Sequence, residues 1–361
     1  MRHIGITCFP DLNGFDETCK YIEKAQKLGY TKVFTQLQLL SIKDKNILNM
    51  FTKLSNFCKD LKMNVSADIN PKIFKDLRAT SKNLSPIFKI GLDNIRLDFG
   101  FSVQEFAVMS NNPYNIKLEV NASCMGEAFI KDFLNVGGNI DNLLACHNYY
   151  PRPETGLSME DFIRSSSIFK KYNIKVGAFI SSQHALPSFF TKGHGFPTIE
   201  KHRYISPSQA AEEIFATDTT DYILFGDITD SDEELKKVAD VANRNCPAIH
   251  VNFYKNVPDN IKDIIINTSH LSRPDQAEYS IRSTEIRGKY NIEAFNNVNR
   301  NKYRLTIDNN NYERYCAEIQ IILKDLPADN KVNVIGEVDE DDIPLLPYIK
   351  YGKPFVIIEK D

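Results

Sequence analysis

Short apolar runs alternate with amphipathic stretches along the first two thirds of the chain. The runs are Ile4–Phe9, Val33–Leu37, Val65–Ile69, Ile95–Phe99, Ile116–Val120, Leu143–His147, Val176–Ile180 and Tyr222–Gly226. Each is only a few residues long and bounded by turn residues, the pattern of a strand buried on both faces. Between them, apolar positions recur at helical spacing over Phe15–Leu28, Ile47–Leu61, Val103–Ser110, Gly126–Val136, Met159–Tyr172, Pro207–Ala216 and Asp232–Asn243. Asp16, Asn46, Ser102, Ser158, Ser206 and Ser231 stand where these helices begin and are expected to cap them. Eight β–α alternations over about 245 residues predict an α/β fold, a TIM-type (β/α)8 barrel. A doubly wound open sheet is the alternative. The lack of a glycine-rich phosphate turn after the first run counts against its nucleotide-binding versions.

After about Cys246 the pattern changes. Helical stretches become rare and β-like segments follow: Ala248–Phe253, Ala277–Arg282, Arg304–Ile307, Ala317–Leu323, Lys331–Glu337 and Pro354–Ile358. Turn residues at Asn309–Asn311, Pro327–Asn330 and Gly352 punctuate them. The expected division is a barrel over residues 1–245 and a smaller, mostly β domain over 246–361.

Composition narrows the function classes. With 42% hydrophobic and 25% charged residues, the chain reads as an ordinary globular protein. A net charge of −3 gives no footprint for nucleic acid or an anionic membrane. The N-terminus is too polar for a signal peptide, and no apolar run approaches a membrane span. Seven cysteines without paired spacing suit a reducing compartment, so a cytoplasmic location is expected. Nothing in the sequence fixes the oligomeric state.

In a barrel, the C-terminal ends of all strands open onto one rim. Reading those ends in order gives Gln36, Asp68, Asp98, Glu119 with Asn121, His147 with Asn148, and Asp227. Carboxylates set among apolar strand residues must be desolvated, unlike the usual surface charge on a helix or turn. For any one of them a helix cap or a barrel salt bridge is an equal reading, most of all for Asp98 and Asp227. As a set they favour acid–base chemistry, because two carboxylates in different surroundings split their pKa values. Glycoside hydrolysis needs that arrangement. The apolar neighbours of Glu119 suit a general acid, with Asp227 as base, nucleophile or polarising group and Asp98 as competitor for either role. Only His147 falls at a strand end, so neither a catalytic metal nor another cofactor is expected.

The segment LLACHNYYPRPETGLS, Leu143 to Ser158, is a buried strand breaking into a polar loop stiffened by Pro151 and Pro153. It offers His147, Asn148, Tyr150, Arg152 and Glu154 to a substrate. A long loop, Ser181 to Pro207, follows the seventh run, and such loops are usually lids or binding loops. Its Lys192, Lys201 and Arg203 are candidates for a phosphate, with a solvated basic loop as the alternative. In the second domain Arg273 and Arg282 are candidate anion contacts, although alternating charge there equally describes a strand with one wet face.

Several of these stretches together resemble one bacterial family. They are HNYYPRPETGLS, IRLDFGF, KLEVNAS, GFPTIEKHR, YILFGD, SRPDQAEYSIRS, TIDNNNYERYCAEIQ and KVNVIGEV. In this order they are similar to the MupG-type 6-phospho-N-acetylmuramidases, some members of which carry the label "outer surface protein". The resemblance implies a TIM barrel followed by a cyclophilin-like β domain. It implies a cytoplasmic glycosidase that splits N-acetylmuramic acid 6-phosphate from N-acetylglucosamine in peptidoglycan recycling. It places Asp98, Glu119, Asn121, His147, Asn148, Arg152 and Asp227 at the site. The chain departs from the family around the second strand, where Thr35, Gln36, Leu37 and Gln38 replace a serine-leucine-histidine type run. The alternatives are a sugar-phosphate isomerase, epimerase or aldolase and a non-catalytic carbohydrate-binding surface protein. No lysine stands at a strand end, which weakens a Schiff-base aldolase.

Overall fold

A computed structural model describes residues 2–37, 45–97, 99–184, 194–228 and 230–360. The expected site residues Asp98 and Lys192 lie outside the described residues. Contacts divide the chain into two units, Met1–Asn243 and Arg244–Asp361, two residues ahead of the division read from the sequence.

The first unit is a closed parallel barrel with its strands in sequence order. They are β1 (His3–Thr7), β2 (Lys32–Gln36), β3 (Asn64–Asp68), β4 (Asn94–Arg96), β5 (Lys117–Asn121), β6 (Leu143–Cys146), β7 (Lys175–Ile180) and β8 (Tyr222–Phe225). The decisive contact is closure: β8 pairs with β1, Ile4 opposite Ile223. An open doubly wound sheet has no such pair.

Both faces of the strands are covered, which explains their unbroken apolar runs. Residues such as Val33, Val65, Ile95, Leu118, Val120 and Ile223 face outward into one core with the helices. Phe34, Cys146, Phe179, Tyr222 and Leu224 form a separate cluster inside the barrel. The alternation of strand side chains produces both sets from the same segments.

Ser102, Ser158 and Ser206 cap their helices as expected, the first and third in reciprocal boxes with Glu105 and Gln209. Ser231 does the same with Glu234, accepting its N–H at 3.2 Å and donating its own N–H to that carboxylate at 3.1 Å. Two expected caps are corrected. Gly14 is the cap of helix Phe15–Lys27, leaving Asp16 in its first turn, where the carboxylate faces the positive end of the helix dipole. The next helix begins at Lys45, so Asn46 lies within it. Two short helices between β3 and β4, Pro71–Asp76 and Ser85–Ile90, escape sequence periodicity because six residues make fewer than two turns. Among the described residues no helix is long and apolar enough to cross a membrane.

The second unit is mostly β. Its strands are β9 (Ala248–Phe253), β10 (His270–Leu271), β11 (Ser280–Ser283), β12 (Arg304–Asp308), β13 (Ile319–Ile322), β14 (Val332–Val338) and β15 (Pro354–Glu359). They form one sheet in the order β10-β15-β9-β14-β12-β13-β11. The β15–β9 pair is parallel and the others are antiparallel. Sequence reading misses the two-residue β10 and the helix Asp259–Ile266.

Candidate active site

Three neighbouring strands carry a line of buried charge. Asp68, Arg96 and Glu119 are register partners across β3, β4 and β5. Arg96 Nε lies 3.2 Å from Asp68 Oδ1, and Arg96 Nη1 lies 3.7 Å from Glu119 Oε1. The guanidinium also donates to the carbonyls of Cys146 (3.0 Å) and His147 (3.2 Å) and to Asn148 Oδ1 (2.6 Å). A buried fork that donates to three acceptors and lies between two carboxyls fixes the start of the β6 loop. Arg96 escaped the sequence reading. The signal was present, since it stands between Ile95 and Leu97 and a charge among apolar strand residues is what drew attention to Glu119.

Glu119 lies deeper than expected of a general acid. It is the third of the five residues of β5, one pleat below Asn121, and only 1% exposed. Its Oε2 accepts the Tyr222 phenol at 2.7 Å. Arg96 lies on one side of it and Tyr222 on the other. Tyr222 in turn rests on Gly177, where an added Cβ would sit 2.1 Å from the ring. Gly177→Ala is therefore expected to force Tyr222 off Glu119 and to cost about 1–3 kcal/mol. Urea denaturation checks the cost, and a Tyr222→Phe variant shows how much of any activity loss comes from the lost phenol.

His147 is also relocated. Cys146 points into the barrel, so the next residue points out, toward the helix Met159–Lys171. Its ring nitrogens meet Ser123 Oγ (3.1 Å) and Ser166 Oγ (2.9 Å), and its ring packs 4.7 Å from that of Phe162. Burial, with Arg96 nearby, pushes its pKa down to about 3, so it stays neutral. It therefore acts through Ser123, whose hydroxyl accepts the Asn148 N–H at 3.0 Å. Asn148 itself does reach the rim cluster: its Oδ1 also accepts from Asn121 Nδ2 at 2.9 Å. The Tyr150 phenol joins Ser123 and Asn148, and burial raises its pKa. Gln36 donates to the Tyr149 phenol, whose ring packs edge-on against Phe34, Phe179 and Phe196.

Asp227, just past β8, is 1% exposed. Its Oδ2 accepts the Ser181 hydroxyl (3.1 Å) and the Ser182 N–H (2.9 Å). Its Oδ1 is buried with no hydrogen-bond partner among the described residues. Burial outweighs the two serines and the Phe196 backbone N–H and pushes its pKa up to about 6. Gly195 makes room for this pair. Its φ is +67°, and a Cβ there would lie 1.7 Å from Ser181 Oγ.

The basic candidates mostly turn out to be structural. Arg203 is 2% exposed and forms a two-pronged pair with Glu200, both contacts 2.7 Å. It also donates to the carbonyls of Tyr150 (2.9 Å), His194 (3.0 Å) and Arg152 (3.3 Å). Glu200 accepts the N–H groups of Glu154 (2.8 Å) and Gly156 (2.7 Å). The two residues clamp the β6 loop, so Arg203 is removed from the phosphate contacts because its donors are spent. Lys201 is paired with Glu213 at 2.5 Å. Arg152 and Glu154 are exposed at the clamped turn. In the second unit Arg273 is locked to Asp275 by two 2.7 Å contacts and Arg282 Nε to Glu318 at 2.5 Å. Among the described residues no group of three His, Cys, Asp or Glu side chains could hold a metal ion.

The family models decide the assignment. The N-terminal model of the 6-phospho-N-acetylmuramidases matches residues 4–240, and their C-terminal model matches residues 247–358. The chain belongs to the 6-phospho-N-acetylmuramidase family. It is thus a glycosidase of muramidase type, and the family name implies a phosphorylated sugar substrate. A solved structure of a B. cereus protein described as uncharacterized is 33% identical over 99% of both chains, with a TM-score of 0.89. A conserved protein from a locus in Enterococcus faecalis, its function given as unknown, is 28% identical over 99% of this chain and 96% of its own, with a TM-score of 0.72. No curated protein matches. In this 6-phospho-N-acetylmuramidase family member, Asp68, Glu119 and Asp227 are buried carboxyls on or just past barrel strands.

Proposed function

We propose that the protein hydrolyses the β-glycosidic bond of N-acetylmuramic acid 6-phosphate–N-acetylglucosamine, in the cytoplasm, on products of peptidoglycan turnover. The observation that carries the mechanism is Asp227: a buried carboxyl past a barrel strand, with no cation beside it among the described residues and a pKa pushed up to about 6. That is the environment of a general acid, so this role moves from Glu119 to Asp227. Protonated Asp227 gives its proton to the glycosidic oxygen as the bond breaks, and a water adds to the anomeric carbon and returns a proton to Asp227. Asp68 and Glu119, held around Arg96, supply negative charge against the oxocarbenium-like transition state. Asn121 and Asn148 orient hydroxyls. Arg152, exposed on a turn whose backbone Arg203 and Thr155 hold, takes the phosphate. Asp98 and Lys192 take no role in this scheme.

The test is release of N-acetylglucosamine from the phosphorylated disaccharide and from its dephosphorylated form. Only the phosphorylated substrate is expected to turn over efficiently, and Arg152→Ala is expected to raise KM for it while leaving kcat nearly intact. Equal rates on the two disaccharides would refute the phosphate requirement. The pH profile gives a second check. Asp227 works protonated, so kcat/KM is expected to fall as pH rises through about 6. A profile flat from pH 5 to 8 would remove Asp227 as the acid.

A further inference from the structure

The sheet of the second unit holds a cavity of about 230 Å³ lined by Arg282, Asp308, Tyr312, Tyr315, Glu318 and Gln320. Its floor is a row across three strands. Arg282 of β11 pairs in register with Gln320 of β13, and Gln320 with Thr306 of β12. Two residues further along, the Asp308 N–H donates to the Glu318 carbonyl at 3.0 Å. The period of two along a strand therefore puts both carboxyls on the face that carries Arg282 and Gln320. The wall is the 3-10 segment Asn310–Tyr315, which brings the rings of Tyr312 and Tyr315 to 5.4 Å at 74°. Glu313, between the two tyrosines, is held at φ 44° and ψ −100°, a conformation that persists only when its surroundings impose it.

The groups inside are not equally satisfied. Glu318 is fully buried and held by Arg282 Nε (2.5 Å) and Arg287 Nη1 (3.0 Å). Asp308 is 1% exposed, and its Oδ1 has no hydrogen-bond partner among the described residues. Burial, reinforced by Glu318, pushes the Asp308 carboxyl up to about 8. A buried carboxyl left open in this way marks a place for a ligand or a water. Among the lining groups Arg282 and Glu318 cancel, and Asp308 holds its proton at neutral pH, so neither a cation nor a phosphate meets a net opposite charge. A neutral polyol suits both ends, with hydroxyls for Asp308, Gln320 and Arg282 and an apolar ring face for a tyrosine. The volume equals about eight waters, room for one pyranose ring and not for two.

We propose that this cavity, built wholly from the second unit's own residues, binds a single uncharged hexopyranose. The site does not rest on the hydrolytic reading, because its test reads binding rather than turnover. Calorimetric titration of the full-length protein with N-acetylglucosamine is expected to show saturable binding. The same titration with N-acetylglucosamine 6-phosphate is expected to be markedly weaker. Asp308→Ala and Tyr312→Ala are each expected to weaken binding about tenfold or more, and Asp227→Asn to leave it unchanged. Tyr312 is half-buried, so its variant decides the matter if Asp308→Ala fails to fold. No binding to the intact protein, full affinity in Tyr312→Ala, loss of binding in Asp227→Asn, or preference for the phosphorylated sugar overturns the proposal.

Discussion

Asp227→Asn is expected to lower kcat by about 10²- to 10⁴-fold, the range for loss of a general acid, while making the protein more stable at neutral pH. The two effects share one cause. Folding buries the carboxyl and raises its pKa from 3.8 to about 6. The folded state therefore holds the proton more tightly than the unfolded one. The contribution of this group to stability is fully present below about pH 4 and is lost as pH rises through 6. Asparagine does not titrate and keeps an oxygen for the Ser181 hydroxyl and the Ser182 N–H. The stability gained by the substitution should thus grow between pH 4 and 6 and then level off, with a ceiling of about 3 kcal/mol. Urea denaturation of both proteins at pH 4 and pH 7, beside steady-state kinetics, measures the two effects. An equal stability difference at both pH values would show that Asp227 is not desolvated as the geometry requires.

Arg96→Met is expected to be the most damaging single change in the barrel, costing about 3–5 kcal/mol. It leaves Asp68 and Glu119 without their shared cation and takes donors from two backbone carbonyls and from Asn148. For a unit of this size, such a loss lowers Tm by roughly 10 °C. Arg96→Lys keeps the charge but not the fork, so it should recover only part of the stability, and Asn148 should remain misplaced. Calorimetric unfolding of the three proteins tests this. Near-normal stability in the Met variant would show that the buried line of charge contributes nothing net to folding.

The barrel is legible in the sequence because every strand is buried on both faces. Each must therefore be a short apolar run, and the amphipathic segments between them have one core-facing stripe each. Four serine caps were legible for an equally local reason, since a side-chain oxygen and an N–H three residues on are all that a cap needs. The strand-end carboxyls Asp68, Glu119 and Asp227 stood out as charges in apolar surroundings. What a run of letters does not carry is direction and partner. His147 looked like a rim residue until the inward side chain of Cys146 turned it outward. Arg203 looked like a free cation because the Tyr150 and Arg152 carbonyls meet it only in three dimensions, although Glu200 stands just three residues before it.

By itself, then, the sequence determined the order and kind of the elements, the place where the barrel gives way to a β domain, and the family. All of these are properties of local pattern or of motifs in a fixed order. Tertiary structure alone decided the surroundings on which the proposed choice of acid rests. Glu119 and Asp227 are both acidic residues among apolar neighbours. One lies beside Arg96 and Tyr222, while the other meets two serines and, among the described residues, no cation. Charge stabilisation depends on what lies within a few ångströms across the fold, and chain neighbours do not report that distance.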